Sequence, residues 1–418
     1  MRARLGRDFR RLWSAYAVST YGTWLAFGAF PLIAVRVLHS PTFAISLLEA
    51  MGLAVAAVLA VPLGPWIEHR PKRPVMIGMD LIRLAATASV PIAYLLGLLS
   101  YGQLLVVSII SGAASIAFAA ASGAYLKHLV RGDRLLTANG RFEGTMWVAT
   151  AAGPPLGGAL IGLLGPVVTV GADALSHLLS ALAILRIRAT DIASPRPHPA
   201  GPTPATGRPR TADLLRGWRF IFGDPVLRRL FLNAMATNGL IMATGPLLAV
   251  LLLGRYHFPA WQYGLAFGVP ALGGFAGARL SARLAARHGR YRVMIITGRL
   301  RSIFPLGLAF TPPGIPGLLT VIIVEGLLIT CMGIFTPISA TERLQRSPTG
   351  QTTQVLTAWS ITSKLTQAAF ITTWGVLATL TTPLTAIAIS GVLLLPTPLL
   401  LPRGVHMSDP TPAPEGAS

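Results

Sequence analysis

The residues that could do chemistry in this chain are few, with only 14 Asp and Glu in 418 positions, and several ionisable ones lie inside apolar runs. Glu325 sits in Val324-Glu325-Gly326-Leu327, Glu49 in the outer part of an earlier run, and Lys364 near the middle of a later one. A carboxyl held among aliphatic neighbours is costly as an anion, so it is built to take up and release a proton. Glu325 is the leading proton-coupling residue, with Glu49 beside it; the bland alternative is a static ion pair between Glu325 and Lys364. Asp173 and His177 stand four apart and share a helical face, a spacing that suits a hydrogen bond or a short proton relay. The preferred reading of that pair is one that satisfies itself at a buried interface. Other chemistries are not encoded. There is no His-Glu-x-x-His pattern and no Gly-x-Ser-x-Gly elbow, and none of Lys72, Lys127 and Lys364 follows a glycine as a phosphate-binding loop requires. No enzymatic activity, cofactor or metal is expected.

The elements that position these residues follow from composition. The chain is 53% hydrophobic and 12% charged, whereas ordinary soluble domains carry about 25% charged residues. About twelve runs of about 18 or more apolar residues are centred near Ala26, Ala56, Val90, Ser115, Leu156, Ser180, Thr244, Leu272, Leu306, Leu328, Ala369 and Val392. Lipid offers no partner to an unpaired backbone group, and these runs are too long and continuous for barrel strands. An all-α integral membrane protein is expected. Arg2, Arg4, Arg7, Arg10 and Arg11 precede the first run, which is longer than a secretory signal core and reads as a transmembrane helix. The net charge of +21 does not point to nucleic acid, because the bases lie between apolar runs without interleaved aromatics. With loops assigned to alternate faces, all but six of the 35 Lys and Arg fall on one face. The exceptions are Arg36 and Arg255 on the other face and Arg83, Arg299, Arg301 and Lys364 within the runs. The positive-inside rule then puts both termini in the cytoplasm and the chain in a cell (inner) membrane. Cys331 has no partner for an internal disulfide and reads as a small buried thiol.

The chain is a doubled unit. His39-Ser40-Pro41 recurs as His257-Phe258-Pro259, and Val75-Met76-Ile77 with Arg83 recurs as Val293-Met294-Ile295 with Arg301, at one offset of 218 residues, 257 less 39 and 301 less 83. Two separate loops sharing an offset of about half the chain predict twelve transmembrane helices as two pseudo-symmetric six-helix bundles. The expected boundaries are residues 1–190 for the first bundle, 191–215 for a proline-rich cytoplasmic linker, 216–402 for the second bundle and 403–418 for a disordered tail. Thr211 is an N-cap candidate for an amphipathic helix with Leu214, Leu215, Trp218, Ile221 and Phe222 opposed by Arg216 and Arg219, expected to lie on anionic lipid and lead into the second bundle.

Two motifs carry a resemblance to a family. The loop Gly64-Pro65-Trp66-Ile67-Glu68-His69-Arg70-Pro71-Lys72-Arg73 is similar to the Gly-x-x-x-Asp-Arg-x-Gly-Arg-Lys signature of the major facilitator superfamily, with Glu68, His69 and Pro71 as departures. A degenerate copy spans Ala282 to Arg292. Asp80 and Arg83, together with Gly153-Pro154-Pro155-Leu156-Gly157-Gly158, resemble that superfamily's bacterial drug, siderophore and metabolite exporters. The resemblance implies the major facilitator fold, and a cytoplasmic gate latch made by Gly64, Glu68, Arg70, Lys72, Arg73, Asp80 and Arg83; the alternative is that these bases are positive-inside anchors only. It also implies a pivot at Gly153, Pro154, Gly157 and Gly158, set against a reading of helix packing alone. The first, fourth, seventh and tenth helices would line the cavity, which makes Glu325 the best-placed acid. Tyr16, Trp24, Phe27 and Phe30, with Asn238 and Met242, are cavity candidates for a bulky hydrophobic ligand.

The leading expectation is a secondary transporter that exports a hydrophobic small molecule such as a drug, antibiotic or secondary metabolite in exchange for protons by alternating access. The partners are that substrate, protons and membrane lipids, and the chain is expected to be monomeric. An uptake symporter for a small polar solute would need more Asn, Gln and Asp within the helices. A transport-inactive scaffold or sensor would predict that Glu325→Gln changes only stability.

Overall fold

The computed structural model describes residues 6–68, 70–130, 134–188, 211–346 and 352–402. Outside the described residues lie His69, most of the expected linker (191–210) and the tail (403–418), and of Gly64 and Glu68 only the helical backbone is described. The described residues form helices and no strands. In chain order these are α1 (Arg7–Val37), α2 (Thr42–Glu68), α3 (Lys72–Leu95), α4 (Tyr101–Leu129), α5 (Arg134–Leu164), α6 (Pro166–Leu185), α7 (Thr211–Gly223), α8 (Pro225–Arg255), α9 (Ala260–His288), α10 (Arg290–Phe310), α11 (Ile315–Arg346), α12 (Thr352–Leu380) and α13 (Pro383–Leu400). Ten of them are long and apolar enough to cross a membrane. Adding α2 and the more polar α12 gives twelve spans in two six-helix bundles, with the short α7 between them. Helix α7 begins at Thr211 and docks on α12: Trp218 Nε1 donates to Thr362 Oγ1 at 2.9 Å, and Ile221 is fully buried.

Caps fix where several helices start. Asp224 accepts from the backbone N–H groups of Val226 and Leu227 at 2.8 and 2.9 Å, with Pro225 at the first helical position. Thr382 and Pro383 open α13 in the same way. The proximal end of the molecule carries residues 6 and 402, and the distal end carries Arg36 and Arg255.

The duplication is legible in backbone geometry. Span α1 ends in a π-turn over Ile33–Val37 and α8 in one over Val250–Arg255. Each is followed by a left-handed histidine, His39 at φ 49° and His257 at φ 53°. The closing bonds correspond at the same offset, Ser40 N–H to Ala34 O and Phe258 N–H to Leu252 O, both 2.8 Å. Both are histidine, a residue type enriched in this sparsely populated region, so the two halves repeat the turn in residue type as well as in backbone.

The halves meet along two seams, α5 with α9 and α2 with α12. Glycines make the close approach possible. A Cβ on Gly158 would strike the backbone of Ala260, one on Gly264 the backbone of Pro154, and one on Gly375 the side chain of Ser46. At the distal end one hydrophobic core draws on both halves, from Leu32, Ile33 and Leu104 to Leu247, Leu252 and Phe258. Towards the proximal end each half has its own core, around Phe9, Met76 and Tyr125 in the first and Leu230, Met294 and Trp359 in the second. The halves are thus joined distally and separate proximally.

Candidate functional site

A cavity of about 560 Å³ lies between the halves. Span α1 approaches it with its helix interrupted at 26–28, where Gly28 turns left-handed (φ 81°) and a Cβ would collide with the Tyr263 ring. That interruption puts Trp24 and Phe27 on the cavity wall, and Tyr263 and Phe267 of α9 come in from the other half. Phe27 stacks on Tyr263 with centroids 6.1 Å apart, and Tyr263 packs on Phe267 at 4.9 Å. Trp147 of α5 and Met242 of α8 add further apolar surface.

Two carboxyls reach this wall, Glu49 from α2 and Glu325 from α11. Glu49 is exposed to the cavity, whereas Glu325 retains 8% exposure. Neither makes an ion pair among the described residues, and Lys364 of α12 makes none with Glu325. The static Glu325–Lys364 pair is therefore not formed. What remains is two acids without counter-charge in an aromatic chamber, an arrangement that can exchange a proton or accept a cationic or hydrogen-bonding group.

The other sequence candidates are placed elsewhere. Tyr16 packs on Phe142 within the first half, with ring centroids 4.4 Å apart. Phe30 packs against the shared distal core. Asn238 lines a neighbouring pocket of about 320 Å³ that shares Met242, Met332 and Thr336 with the central cavity. Asp173 and His177 lie inside the first bundle with His177 Nε2 3.4 Å from Asp173 Oδ1, and Arg83 joins them through shared hydroxyls. Arg83 donates to Ser19 Oγ at 3.1 Å and to Thr23 Oγ1 at 2.9 Å; Ser19 Oγ lies 3.3 Å from His177 Nδ1, and Thr23 donates to Asp173. Asp80 stands 3.8 Å from Arg83. Asp80 and Arg83 thus belong to a cluster inside the first bundle with α1 and α6.

Of the latch residues that are described, Arg73 donates to the carbonyls of Ile184 and Leu185 at the end of α6, where a cation meets the negative pole of the helix. Lys72 Nζ donates to Arg70 O at 2.8 Å. The helix-five motif is used on both sides. A Cβ on Gly153 would strike Trp24 and one on Gly157 the Leu25 carbonyl, while Gly158 and Pro154 face α9 of the other half. The distal closure is completed by Arg36, which donates to Phe258 O across the halves at 2.9 Å. Trp147, Tyr263 and Phe267 were not singled out in the sequence. Aromatics in an apolar run carry no mark, and only the four-residue spacing of Tyr263 and Phe267 hinted at a shared face.

A bundle of twelve spans in two related halves around a central chamber is the architecture of a secondary transporter. The family profile of the Major Facilitator Superfamily matches residues 12–371, and the chain belongs to that superfamily. It is similar to the multidrug efflux pump Tap of Mycobacterium tuberculosis and Mycobacterium bovis, with 29% identity over 194 residues. That match covers 46% of this chain and 43% of the relative, so the chain spans less than half the length of those curated relatives. Among solved structures, the nucleoside transporter NupG superposes with a TM-score of 0.71 at 13% identity, covering 94% of this chain and 99% of the other. A bacterial homologue of the iron transporter ferroportin in an inward-facing state gives 0.73 at 15%, covering 94% and 99%. These structures share the fold. The chain is a multi-pass integral membrane protein of a transporter superfamily and not an enzyme.

Proposed function

We propose that the protein exports a hydrophobic small molecule, drug- or metabolite-like, in exchange for protons, from a plasma membrane in which both termini face the cytoplasm. The observation that carries this reading is the central chamber, apolar and aromatic over most of its wall, with Glu49 and Glu325 as its acids and no basic side chain on it among the described residues. An apolar chamber favours a hydrophobic ligand over a sugar-like one, which needs many polar partners. A carboxyl there binds either a proton or the substrate's polar group, and that competition is what couples the two fluxes. The partial likeness to a multidrug efflux pump supports the export direction. Closure at the distal end with separated proximal cores corresponds, in this topology, to a chamber reached from the cytoplasm. The proposed units are 1–190, the linker 191–215, 216–402 and the tail 403–418. Proximal Arg73 on the end of α6 serves as a gate anchor, and the α5 glycines serve as the pivot.

The test is dye and antibiotic retention in an efflux-deficient bacterium expressing the chain, with and without a protonophore, beside Glu325→Gln and Glu49→Gln. Retention is expected to fall on expression and to return with the protonophore or with Glu325→Gln. Export that persists in both acid variants and in the presence of protonophore overturns proton coupling.

A further inference from the structure

Arg83 and Arg301 occupy one position of the duplicated unit, each 11 residues into its span, about 16 Å from the proximal end at 1.5 Å per residue. Both are nearly sealed, with 6% and 2% exposure. Their surroundings differ. The acids that accompany Arg83, Asp80 and Asp173, correspond at the same offset to Gly298 and Gly391. Arg301 has no carboxylate within ion-pair distance among the described residues. Its guanidinium donates from Nη2 to the neutral Asn233 Oδ1 and lies 3.7 Å over the Phe335 ring, and its Nε has no partner.

A guanidinium at half depth of a membrane bundle without a counter-ion is expensive, and such residues mark ligand pathways. Arg301 lines the 320 Å³ pocket that borders the central chamber, with Met242, Met332 and Thr336 lining both. Arg343 and the amides of Asn238 and Gln367 line the same pocket, and no Asp or Glu among the described residues does. The planar fork of Arg matches a carboxylate or phosphate, and with Phe335 on its face and Asn233 on Nη2 an anion would be taken by the remaining N–H groups.

We propose that Arg301 is the oxyanion subsite of the transport cavity, taking the carboxylate or phosphate of an amphipathic organic anion whose apolar body lies in the central chamber. This rests on the chamber being the transport site. The missing counter-charge of the second half is then supplied by the ligand.

The test uses the purified full chain in phosphatidylcholine nanodiscs. Quenching of tryptophan fluorescence is titrated with 4-phenylbutyrate and with its neutral analogue 4-phenylbutanol, since Trp359 lines the subsite and Trp24 and Trp147 the chamber. The acid is expected to bind at least tenfold more tightly than the alcohol, the ratio falling to about one in Arg301→Gln and remaining above one in Arg301→Lys. Equal binding of acid and alcohol by the parent chain, or an acid preference that survives Arg301→Gln, overturns the subsite. A preference abolished when phosphatidylglycerol replaces part of the phosphatidylcholine assigns the site to a lipid phosphate and overturns the substrate assignment. If the acid preference holds while cells expressing the chain export no dye, the export reading falls and the anion subsite stands.

Discussion

The two halves solve the same burial problem in opposite ways. In the first, Arg83 is embedded among Ser19, Thr23, Asp80, Asp173 and His177, so that a charge taken from water is repaid by neighbours of opposite sign and by hydroxyls. In the second, Arg301 keeps one amide and one aromatic face. The glycines that replaced the acids let helices close in. A Cβ on Gly298 would meet Leu401 and Phe335, and one on Gly391 the backbone of Leu306. The first half has therefore become an internally neutralised scaffold, and the second has exchanged electrostatic closure for tight packing and a cation facing a pocket.

The largest effect that would break this contrast lies in the first half. Arg83→Met leaves Asp80 and Asp173 buried without their cation, and breaking a buried cluster from one side costs about 3–5 kcal/mol. Thermal unfolding in detergent should show a large drop in melting temperature; a drop near zero would mean that the cluster is not electrostatically closed. Next comes the α5 pivot, where Gly157→Ala pushes a methyl into the Leu25 carbonyl. Overpacking costs about 1–3 kcal/mol, and dye export should fall with it. Full export by Gly157→Ala would show that α1 and α5 need no close approach.

Smaller still is Arg36→Gln at the distal closure, which removes one part-buried hydrogen bond to Phe258 O worth about 1 kcal/mol. The labelling rate of a cysteine placed at Val35 is expected to rise severalfold in that variant, and an unchanged rate would shift the closure onto the shared core alone. The smallest stability change is predicted for Arg301→Met. Since no carboxylate is stranded, its unfolding free energy should stay within about 1 kcal/mol of the parent, with a melting temperature close to the parent's or higher. A loss as large as that of Arg83→Met would erase the difference between the halves.

Much of the fold was legible because the bilayer enforces it: apolar runs of spanning length, basic loops and the 218-residue offset together predict twelve spans in two related bundles. Glu49 and Glu325 were legible for the same reason, as charges where lipid makes charge expensive. Their apolar neighbours were not, since Tyr263 and Phe267 differ from lipid-facing aromatics only in what faces them. That Asp80 and Arg83, three residues apart along α3, turn inward to α1 and α6 was not legible in the motif itself.

The sequence by itself determined the number of spans, their doubling and the identity of the buried charges, because hydropathy and spacing are local properties that the membrane reads directly. Tertiary structure alone decided that Asp173 and His177 join Arg83, that Glu325 and Lys364 do not pair, and that Arg301 meets a pocket and no acid. Those outcomes depend on the rotation and approach of neighbouring helices, which glycine contacts and side-chain packing set and no single run of residues encodes.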